Sequence, residues 1–446
     1  MFCWPNVIKN SWQWGLVIES LLTEHWLGLL AQFRRLIVAF SGGLDSTVLL
    51  HSLLIEPLLH KKLIAVHINH GLSPNADKWQ SHCRNFTKEH GVSFVARRVQ
   101  VDLTANVEEH ARIERYRAFG QIIQKDDCLL LGHHANDQAE TLLLQLFRGA
   151  GIDGLSAMVS FKAFHSGMMA RPFLNYPREK LHQYAIEHQL DWIDDESNLS
   201  LAYSRNYLRH CIFPLLRNKW PGVDANLVRA AKHCQEAKEN LADLAILDCS
   251  ELARANNCLP LLPLRNLPRR RLNNVLRTWL KLNQVQMPTT MSLNRIVDEV
   301  IAAKVDASPA VAWEGTVIKR YQGCLYILSE MPGTHLPELA WKNFPEPLSL
   351  GEGRVLQVFP AKQGLNIPEN ARLSVRYRQG GEHIFWRGQT KSLKKLLQQW
   401  QVPPWFRQTI PLLYVNNELA AVVGYAISDH FYGKHEAFEV KLTHNS

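Results

Sequence analysis

The stretch that decides the fold runs from Arg35 to Leu54 and reads RLIVAF-SGGLDS-TVLLHSLL. Its opening segment, RLIVAF, is a near-continuous apolar run, which is typical of a buried strand in a parallel sheet. A pair of glycines follows, and a helix is predicted from Asp45 to Leu54. A strand, a glycine turn and a helix in direct succession predict one unit of an α/β domain.

The same alternation of apolar runs and helical patterns continues through roughly the first two hundred residues. It predicts a parallel sheet that is covered on both faces. Because ligands of such sheets bind at the carboxyl ends of the strands, the chemistry is expected in the loops after Phe40, Asn69 and Gly132. The predicted strands are Arg35–Phe40, Leu63–Asn69, Val92–Val99 and Cys128–Gly132, and the predicted helices are Asp45–Leu54, Ala76–His90 and Glu108–Gln124.

The loop between the first strand and its helix has the composition of a phosphate-binding nest. Its glycines let the backbone turn sharply and point successive N–H groups inward, and the helix adds its positive end. Ser41 and Ser46 supply hydroxyl groups, and Asp45 can cap the helix or hold Mg²⁺ near phosphate oxygens. A tight turn with a serine cap is the structural alternative. The candidate nucleotide-binding residues are Ser41, Gly42, Gly43, Leu44, Asp45 and Ser46.

The loop lacks the lysine of the sequence Gly-x-x-x-x-Gly-Lys-Ser/Thr, which reaches toward the γ-phosphate in another class of nucleotide-binding loop. A nest without that lysine suits the pyrophosphate that departs when the α-phosphate is attacked. The segment resembles the PP-loop ATP pyrophosphatase superfamily. This resemblance implies an adenine nucleotide alpha hydrolase-like domain that adenylates an oxygen atom with ATP and releases pyrophosphate.

A second polar motif follows a later strand, with GHHANDQAET at Gly132–Thr141 and RGAGIDGL at Arg148–Leu155. Its histidines, with Asp137 and Glu140, could suggest zinc. However, neighbouring histidines point in different directions, and no third ligand has the usual helical spacing. A polar helix start with Asn136 or Asp137 as the cap is the structural alternative. The functional interpretation gives Asp137 a role in binding Mg²⁺ or orienting the nucleophile, and lets Arg148 balance phosphate charge.

Several segments together resemble the tRNA(Ile)-lysidine synthetase family, in the expected order along nearly the whole chain. The chain departs from the family pattern at Asn136, where a second aspartate is common, so the role of that acid falls on Asp137. It also has Asp195-Glu196-Ser197-Asn198 where D-P-S-N is common. The segments that carry the resemblance are HINHGL, HHANDQAET, RGAGIDGLSAM, RPFL at Arg171–Leu174, Arg205-Asn206 with Arg209, and RGQTKSLKKLLQ at Arg387–Gln398.

The resemblance implies a ligase that acts on the wobble cytidine of tRNA(Ile) with a CAU anticodon. The cytidine O2 would attack the α-phosphate of ATP, and free L-lysine would then attack C2 and release AMP, so that the tRNA reads AUA and is charged with isoleucine. A carboxylate such as Asp137 would remove the proton of the lysine amine. Arg205 and Arg209 would contact the adenylate or the RNA backbone, or form surface salt bridges. The candidate catalytic residues are Asp45, Asp137, Arg148 and Arg205, and the candidate Mg²⁺ ligands are Asp45 and Asp137.

The remainder of the chain is predicted to form two smaller parts. The expected divisions are a catalytic PP-loop domain at 1–230, a mostly helical tRNA-contacting middle domain at 231–330, and a small α+β tRNA-binding domain at 351–446. The segment 331–350 contains four prolines and no clear periodicity, and is predicted to be a linker.

The C-terminal part has a basic segment, with eight Lys or Arg residues and one acid between Ala371 and Ile410. A set of four residues has helical spacing and is expected to face a core, with lysines on the other side: Leu393, Leu396, Leu397 and Trp400. A solvated basic face is the alternative to RNA binding. The family resemblance favours RNA contacts from Arg387, Lys391, Lys394 and Lys395, and aromatic stacking from Phe385, Trp386, Trp405 and Phe406.

Composition limits the remaining possibilities. The net charge of +9 favours a polyanionic partner such as RNA, and the eight cysteines contain no C-x-x-C pair, which suggests a reducing, cytoplasmic location. The segment from Trp12 to Phe33 contains charged residues and is predicted to be an amphipathic helix, neither a signal peptide nor a membrane span. The sequence leaves a homodimer open.

Other PP-loop enzymes and a non-catalytic tRNA-binding protein are the competing functions. The absence of C-x-x-C disfavours a thiolase, a GMP synthetase would need a glutaminase domain, and an NAD synthetase does not obviously need a basic C-terminal module. An intact loop at Ser41–Ser46 together with Asp137 argues against a protein that only binds RNA.

Overall fold

The computed structural model describes residues 20–102, 107–254, 257–304, 307, 309–329, 337–351, 353–435 and 437–444. The chain divides into two compact units, unit 1 at residues 1–244 and unit 2 at residues 245–446. None of the described helices is both long and apolar enough to cross a membrane. The helix expected from Trp12 lies partly outside the described residues, and within it the structure has a helix at Glu24–Leu30.

Unit 1 contains a six-stranded sheet with helices on both faces. Its strands are β1 Arg35–Ala39, β2 Leu63–Asn69, β3 Ser93–Arg98, β4 Asp127–Leu130, β5 Phe161–Phe164 and β6 Gly167–Ala170. Its helices are α1 Glu24–Leu30, α2 Leu44–Leu54, α3 Pro57–His60, α4 Ala76–Glu89, α5 Val107–Ile122, α6 Ala135–Phe147, α7 Ile152–Leu155, α8 Arg178–Glu187, α9 Ser204–Tyr207 and α10 Phe213–Lys219. A further helix, α11 Val223–Asp248, begins in unit 1 and ends in unit 2. A 3-10 turn lies at Glu196–Leu199, and a π-helical segment at Leu208–Ile212 joins α9 to α10.

The sheet has the strand order β3-β2-β1-β4-β6-β5, and all neighbours are parallel except β5 and β6. The predicted parallel PP-loop sheet is therefore confirmed. Side chains of β1 alternate between the two faces of the sheet. On one face, Leu36 and Val38 pack into a core cluster with α2. Ile37 points the other way and packs with Phe119 of α5. This alternation explains why the strand is apolar at consecutive positions.

The strand β1 lies between β2 and β4, which is where the strand order reverses direction. Such a switch point opens a crevice between the loops that follow the two central strands. The loop after β4 also touches the start of α2, since a Cβ atom on Gly132 would lie 2.8 Å from the carbonyl oxygen of Asp45. The fold thus places the two polar motifs of the sequence side by side.

The loop between β1 and α2 has a tightly bonded backbone. Gly42 adopts a positive φ of 85°, and its carbonyl accepts a hydrogen bond of 2.8 Å from the N–H of Ile193. The N–H of Ser41 donates to Ser46 Oγ at 3.2 Å, and that hydroxyl donates to the carbonyl of Gly43 at 3.0 Å. Gly43 then caps α2 without a side-chain hydrogen bond, which leaves backbone N–H groups at the helix start for a ligand.

Unit 2 begins with helices packed on a small antiparallel sheet. The sequence predicted mainly helices here, and the structure also contains a four-stranded sheet of order β7-β10-β9-β8. The buried side of α12 carries Val275, Leu276 and Trp279 into this core. Short strands with mixed burial give little periodic signal, which is why the sequence did not predict them. The elements are β7 Cys258–Pro260, α12 Arg269–Leu282, α13 Thr290–Arg295, a π-helical segment at Ile296–Ile301, β8 Ala310–Trp313, β9 Thr316–Tyr321 and β10 Cys324–Ser329, with a 3-10 turn at Ser250–Arg254.

The segment expected to be a linker contributes to the C-terminal core. Leu339–Ala340 forms a strand that pairs with Val375 and Ser374, and Trp341 is buried among the C-terminal hydrophobic residues. Residues before 351, the predicted start of the C-terminal domain, thus contribute a strand and a core side chain to that module. The prolines of this segment obscured its strand pattern, because proline removes a backbone donor and interrupts periodicity.

The C-terminal module is built mainly from strands. It contains two five-stranded sheets, of orders β11-β15-β18-β19-β20 and β12-β13-β22-β14-β21, and a two-stranded hairpin of β16 and β17. Its elements are β11 Leu339–Ala340, β12 Leu348–Gly351, β13 Arg354–Ala361, β14 Gly364–Leu365, β15 Leu373–Arg376, β16 His383–Trp386, β17 Gln389–Ser392, α14 Leu393–Gln399, β18 Leu412–Val415, β19 Glu418–Val422, β20 Ala426–Ile427, a 3-10 turn at Asp429–Phe431, β21 Tyr432–Gly433 and β22 Ala437–His444.

The geometry of the first loop predicts different responses at its two glycines. A Cβ atom on Gly42 would lie 2.8 Å from Ile193 Cδ1 and 2.9 Å from Cys83 Sγ, at a positive φ. We expect Gly42→Ala to lower the free energy of unfolding by about 1–3 kcal/mol. Gly43→Ala is the matched control, because its Cβ would meet nothing closer than Ser41 Oγ at 3.5 Å. Urea denaturation of the full chain measures both, and equal losses would contradict the account.

Candidate functional site

The site is organised at the first turn of α6, where His134 is the N-cap residue. Its Nδ1 accepts a hydrogen bond of 3.4 Å from the N–H of Asp137, and its own N–H donates to Asp137 Oδ2 at 3.0 Å. These two bonds form a capping box, which fixes both side chains relative to the helix. The sequence predicted a polar helix start with Asn136 or Asp137 as the cap. The polar helix start is confirmed, but the cap was wrong, because His134 is the N-cap residue and Asp137 is the third residue of the helix.

Asp137 is buried and surrounded by positive charge. Its Oδ1 lies 3.6 Å from Arg205 and 3.4 Å from an Nη atom of Arg209. Burial alone would raise the pKa of Asp137, but His134, Arg205 and the hydrogen bond from the His134 N–H outweigh burial and hold that pKa well below its usual range. Asp137 is therefore a fixed negative charge and a weak proton acceptor.

Glu140 lies one helical turn after Asp137, and its side chain is only 2% exposed. The Nε atoms of Arg205 and Arg209 each donate to this carboxylate at 2.8 Å. Arg205 belongs to α9 and Arg209 to the π-helical segment, so both arginines come from the same continuous run of helical turns. The acid pair on α6 and the arginine pair opposite it form a network of balanced charge, which a buried ionic group requires.

Asp45 reaches the same place from the start of α2. His134 Nε2 lies 3.6 Å from Asp45 Oδ2 and 3.4 Å from Asp137 Oδ2, so the imidazole stands between the two carboxylates. Burial opposes its charging, but Asp137 and Asp45 raise the pKa of His134 above its ordinary value. Asp45 Oδ1 is buried without a hydrogen-bond partner, with the Nε of Arg178 at 4.0 Å.

His133, which precedes His134 in the sequence, contacts Arg171. Nδ1 of His133 accepts a hydrogen bond of 3.1 Å from Arg171, which also donates to the carbonyl of Val159 at 2.7 Å. Burial, with the positive charge of Arg171, lowers the pKa of His133 to about 3, although Asp137 opposes the shift. Among the described residues, no cluster of three or more His, Cys, Asp or Glu side chains is placed to hold a metal ion alone.

The structure brings most of the predicted catalytic residues together. The loop Ser41–Ser46, Asp137 and Arg205 meet at one edge of the sheet, as the motifs suggested. Glu140, His134 and Arg178 also belong to this site, and the sequence gave them no catalytic role. The signal for Glu140 was its spacing, because a residue three positions after Asp137 lies on the same face of the helix.

Arg148 is the exception among the predicted residues. It caps the C-terminal end of α6 and is exposed. At 1.5 Å per residue it lies roughly 16 Å along the helix axis from Asp137. It lines a cavity of about 480 Å³ together with Phe147 and Tyr207. The structure does not place it where it could balance charge at the phosphate loop, because the helix carries it to the far end.

In unit 2 the predicted basic residues lie on the hairpin and on α14. Lys394 and Lys395 are exposed while the leucines of α14 are buried, as the periodicity predicted. The Arg387 guanidinium lies 4.3 Å from the ring centroid of Trp386, and Lys391 Nζ lies 4.9 Å from it. Arg407 has a structural partner, because its Nε donates to the Val402 carbonyl at 2.8 Å.

The aromatic residues predicted for stacking have separate surroundings. Trp405 packs edge-on against Tyr321 and Tyr326, with ring centroids 5.9 and 5.4 Å apart. Phe385 is stacked on His430 at 4.4 Å. Only Trp386, of the aromatic residues named above, carries the cations of the hairpin. Phe406, the fourth of these aromatic residues, is 36% exposed and lies 6.2 Å from the Trp405 ring centroid.

Comparison with protein families assigns every part of the chain that carries these features. A PP-loop domain model matches residues 17–216. A TilS substrate binding domain model matches residues 259–326, and a TilS substrate C-terminal domain model matches residues 373–443. The three matches follow one another in chain order. They cover the sheet of unit 1, the small sheet of unit 2 and most of the C-terminal module.

Relatives of similar length match nearly the whole chain. The tRNA(Ile)-lysidine synthase of Legionella pneumophila strain Philadelphia 1 is 49% identical over 433 residues, covering 97% of this chain and 100% of the relative. The enzyme of the same name from Coxiella burnetii is 39% identical, with 90% of each chain covered. That from Salmonella typhimurium is 40% identical, covering 88% of this chain and 92% of the relative. At this identity and coverage, the chain belongs to the tRNA(Ile)-lysidine synthase family.

Proposed function

We propose that this protein converts the wobble cytidine of CAU-anticodon tRNA(Ile) to lysidine, using ATP and free L-lysine. One observation carries the proposal. In a chain of this family, a lysine-free phosphate nest at Ser41–Ser46 meets a charged cluster around Asp137 at the switch point of a parallel sheet. The product tRNA would read AUA and be charged with isoleucine.

The reaction has two steps, and each step balances. In the first, cytidine O2 forms a bond to the α-phosphorus of ATP, the α–β anhydride bond breaks and pyrophosphate leaves. In the second, the lysine amine, having lost a proton, forms a bond to C2, the C2–O2 bond breaks and AMP leaves. The inward N–H groups of the loop after β1 suit the departing pyrophosphate, and the start of α2 adds positive potential.

The residues fit a magnesium ion that is shared with the nucleotide. Mg²⁺ usually binds one or two carboxylates and completes its shell with phosphates and water. Asp45 Oδ1 is a buried carboxylate oxygen without a hydrogen-bond partner at the end of the nest, which suits such a ligand. When bound, the ion would neutralise phosphate charge. Both oxygens of Asp137 already face donors, so we assign the metal to Asp45 and withdraw it from Asp137.

The charged network supports an electrostatic role for its arginines. Arg209 is 29% exposed at its side chain, whereas the carboxylate of Glu140 that it binds is buried. We assign the positive charge near the adenylate to Arg205 and Arg209, in place of Arg148, which lies at the far end of α6. Asp137, with its lowered pKa, is assigned to position these arginines and His134, not to take the proton of the lysine amine.

The second unit is assigned to tRNA binding. Arg387, Lys391, Lys394 and Lys395 lie on the hairpin and α14 of the module that matches the TilS substrate C-terminal domain. Such residues give affinity by contacting phosphates without choosing a sequence. A cytoplasmic location is part of the proposal. Either a monomer or a homodimer satisfies it, because all residues assigned to adenylation lie in unit 1 of one chain.

The assignment of Asp45 makes a prediction about the first step. We expect Asp45→Asn to slow ATP-dependent pyrophosphate release with tRNA(Ile) by about a hundredfold or more, because the variant loses charge toward the metal. Its Kd for the tRNA should stay within about twofold, since base and phosphate contacts are separate from this group. Asp191→Asn, at an exposed aspartate, is the control. A wild-type rate in Asp45→Asn would reject the assignment.

The assignment of the basic residues makes a separate prediction. The double variant Lys394→Glu with Lys395→Glu should bind tRNA(Ile) more weakly, and its plot of log Kd against log salt should be shallower by about 1–2 units. The control is Lys61→Glu with Lys125→Glu. Both of these lysines are exposed just before β2 and β4, at the edge of the sheet opposite the site. An unchanged salt slope in the α14 variant would count against RNA contact there.

A further inference from the structure

We propose that the C-terminal module holds a slot for one unpaired nucleobase of the tRNA, with Tyr425 as its stacking surface. This inference rests on the proposed function, since it names how the tRNA-binding unit would grip its substrate. It concerns a cavity distinct from the catalytic site, bounded by the turn between β19 and β20. We call this cavity the Tyr425 slot, and its aromatic lining residues are Trp386, Tyr425, Tyr432 and Phe438.

The size and chemistry of the Tyr425 slot suit a single nucleotide. Its volume is about 580 Å³, which lies within the range of small-molecule sites. Its aromatic walls are interrupted by polar groups, including Gln363 and backbone of the strand that ends at Val422. A base has two π-faces and polar edges, so it matches a concave surface of this mixed character.

Tyr425 is held in place while much of its side chain remains available. Its ring is stacked on Trp400, with centroids 5.5 Å apart and planes 20° apart, and the residue is still 46% exposed. Trp400 in turn meets Trp386 edge-on at 5.7 Å. The Tyr425 N–H donates to the Val422 carbonyl at 2.9 Å, which fixes the turn. A preorganised aromatic face of this kind loses little conformational entropy when a base stacks on it.

The charges around the slot favour a polyanion. Arg387 and Lys391 lie over Trp386 at one wall, and the exposed lysines of α14 follow directly in sequence. The acidic residues of the lining have partners: Asp429 Oδ2 accepts from the Gly388 N–H at 2.7 Å, and Glu439 pairs with Lys441 at 3.0 Å. Cations beside an aromatic cavity are the arrangement that binds phosphate and base together.

An unpaired base fits this arrangement better than a duplex. Bases inside a helix stack on each other and show only their edges, whereas single-stranded ends and loops can present a free face to an aromatic side chain. A tRNA offers such bases at its 3′ end and in its loops. The chemistry of the slot is the same for each source, so the experiment must separate them.

The first arm compares two exposed aromatic residues of the same module. We expect Tyr425→Ala to raise the Kd for a full-length tRNA(Ile) transcript by about five- to a hundredfold, and to leave the salt slope unchanged, because stacking releases no counterions. Tyr425→Phe should restore the affinity. The matched control is Phe359→Ala, because Phe359 is 42% exposed but lies outside the lining of the slot. A Kd within about twofold of wild type for Tyr425→Ala would overturn the proposal.

The second arm identifies the base by a thermodynamic cycle. Transcripts carrying a single abasic nucleotide in the 3′ end, the anticodon loop or another loop are bound to wild-type protein and to Tyr425→Ala. One of these replacements should weaken binding to the wild type and have little further effect in the variant, which is the signature of a direct contact. If every replacement acts equally on both proteins, Tyr425 contacts no base and the slot is rejected. Equal effects on both proteins are what we expect if the Tyr425 ring has only a structural role or contacts another protein.

The two hypotheses fail in different ways. If the wild-type protein incorporates no lysine into tRNA(Ile), the proposed function fails, while the cycle still reports on any tRNA that binds. If lysine incorporation is normal but Tyr425→Ala binds like the wild type, the slot fails and the proposed function stands. If the slot has its proposed role, Tyr425→Ala should raise KM for tRNA and preserve kcat at saturating tRNA, since Tyr425 is assigned to tRNA binding and not to adenylation.

Discussion

The arrangement of the site depends on how the chain pairs the buried carboxylate of Glu140. A carboxylate that is 2% exposed would cost several kcal/mol without compensation. Two arginine Nε atoms at 2.8 Å provide that compensation, and they fasten α6 to the helical run that begins at Ser204. Removing either side of this network would leave buried charge unpaired, whereas Asp137 and His134 are held by the capping box at the start of the same helix.

The first turn of α6 carries this constraint to the nucleotide loop. His134 caps the helix, and its imidazole stands between Asp137 and Asp45 at 3.4 and 3.6 Å. Gly132 permits the close approach of the two loops, since a side chain there would collide with the backbone of α2. A parallel sheet that reverses its strand order at β1 and β4 supplies the crevice. The site is thus fixed by backbone contacts and buried charge more than by flexible surface residues.

Much of unit 1 could be predicted from the sequence because its signals are local. The apolar run of β1, the glycine pair and the helix of Leu44–Leu54 each follow from composition and spacing, and the structure confirms them within a residue or two at each end. The pairing of Arg205 with Glu140 could not be predicted, because 65 residues separate them and no periodicity links them. For Arg148 the opposite happened. It is close to the Asp137 motif in sequence, but the straight helix between them separates the two residues in space.

In unit 2 as well, the sequence predicted some elements and missed others. The leucine spacing of α14 predicted its buried side and its exposed lysines correctly. The four-stranded sheet of β7 to β10 was not predicted, because its strands of three to six residues are too short to give a clear alternation. Trp341 illustrates the cost, because it is a core residue within a proline-rich segment that resembled a linker.

The most direct measurement is the incorporation of labelled L-lysine into an unmodified CAU-anticodon tRNA(Ile) transcript, with and without ATP, with elongator tRNA(Met) as the matched RNA. The account predicts one lysine per tRNA(Ile), dependent on ATP and accompanied by AMP and pyrophosphate, and no incorporation into tRNA(Met). Release of pyrophosphate with another acceptor and no lysine in tRNA(Ile) would contradict it, and would leave the adenylating fold with a different substrate.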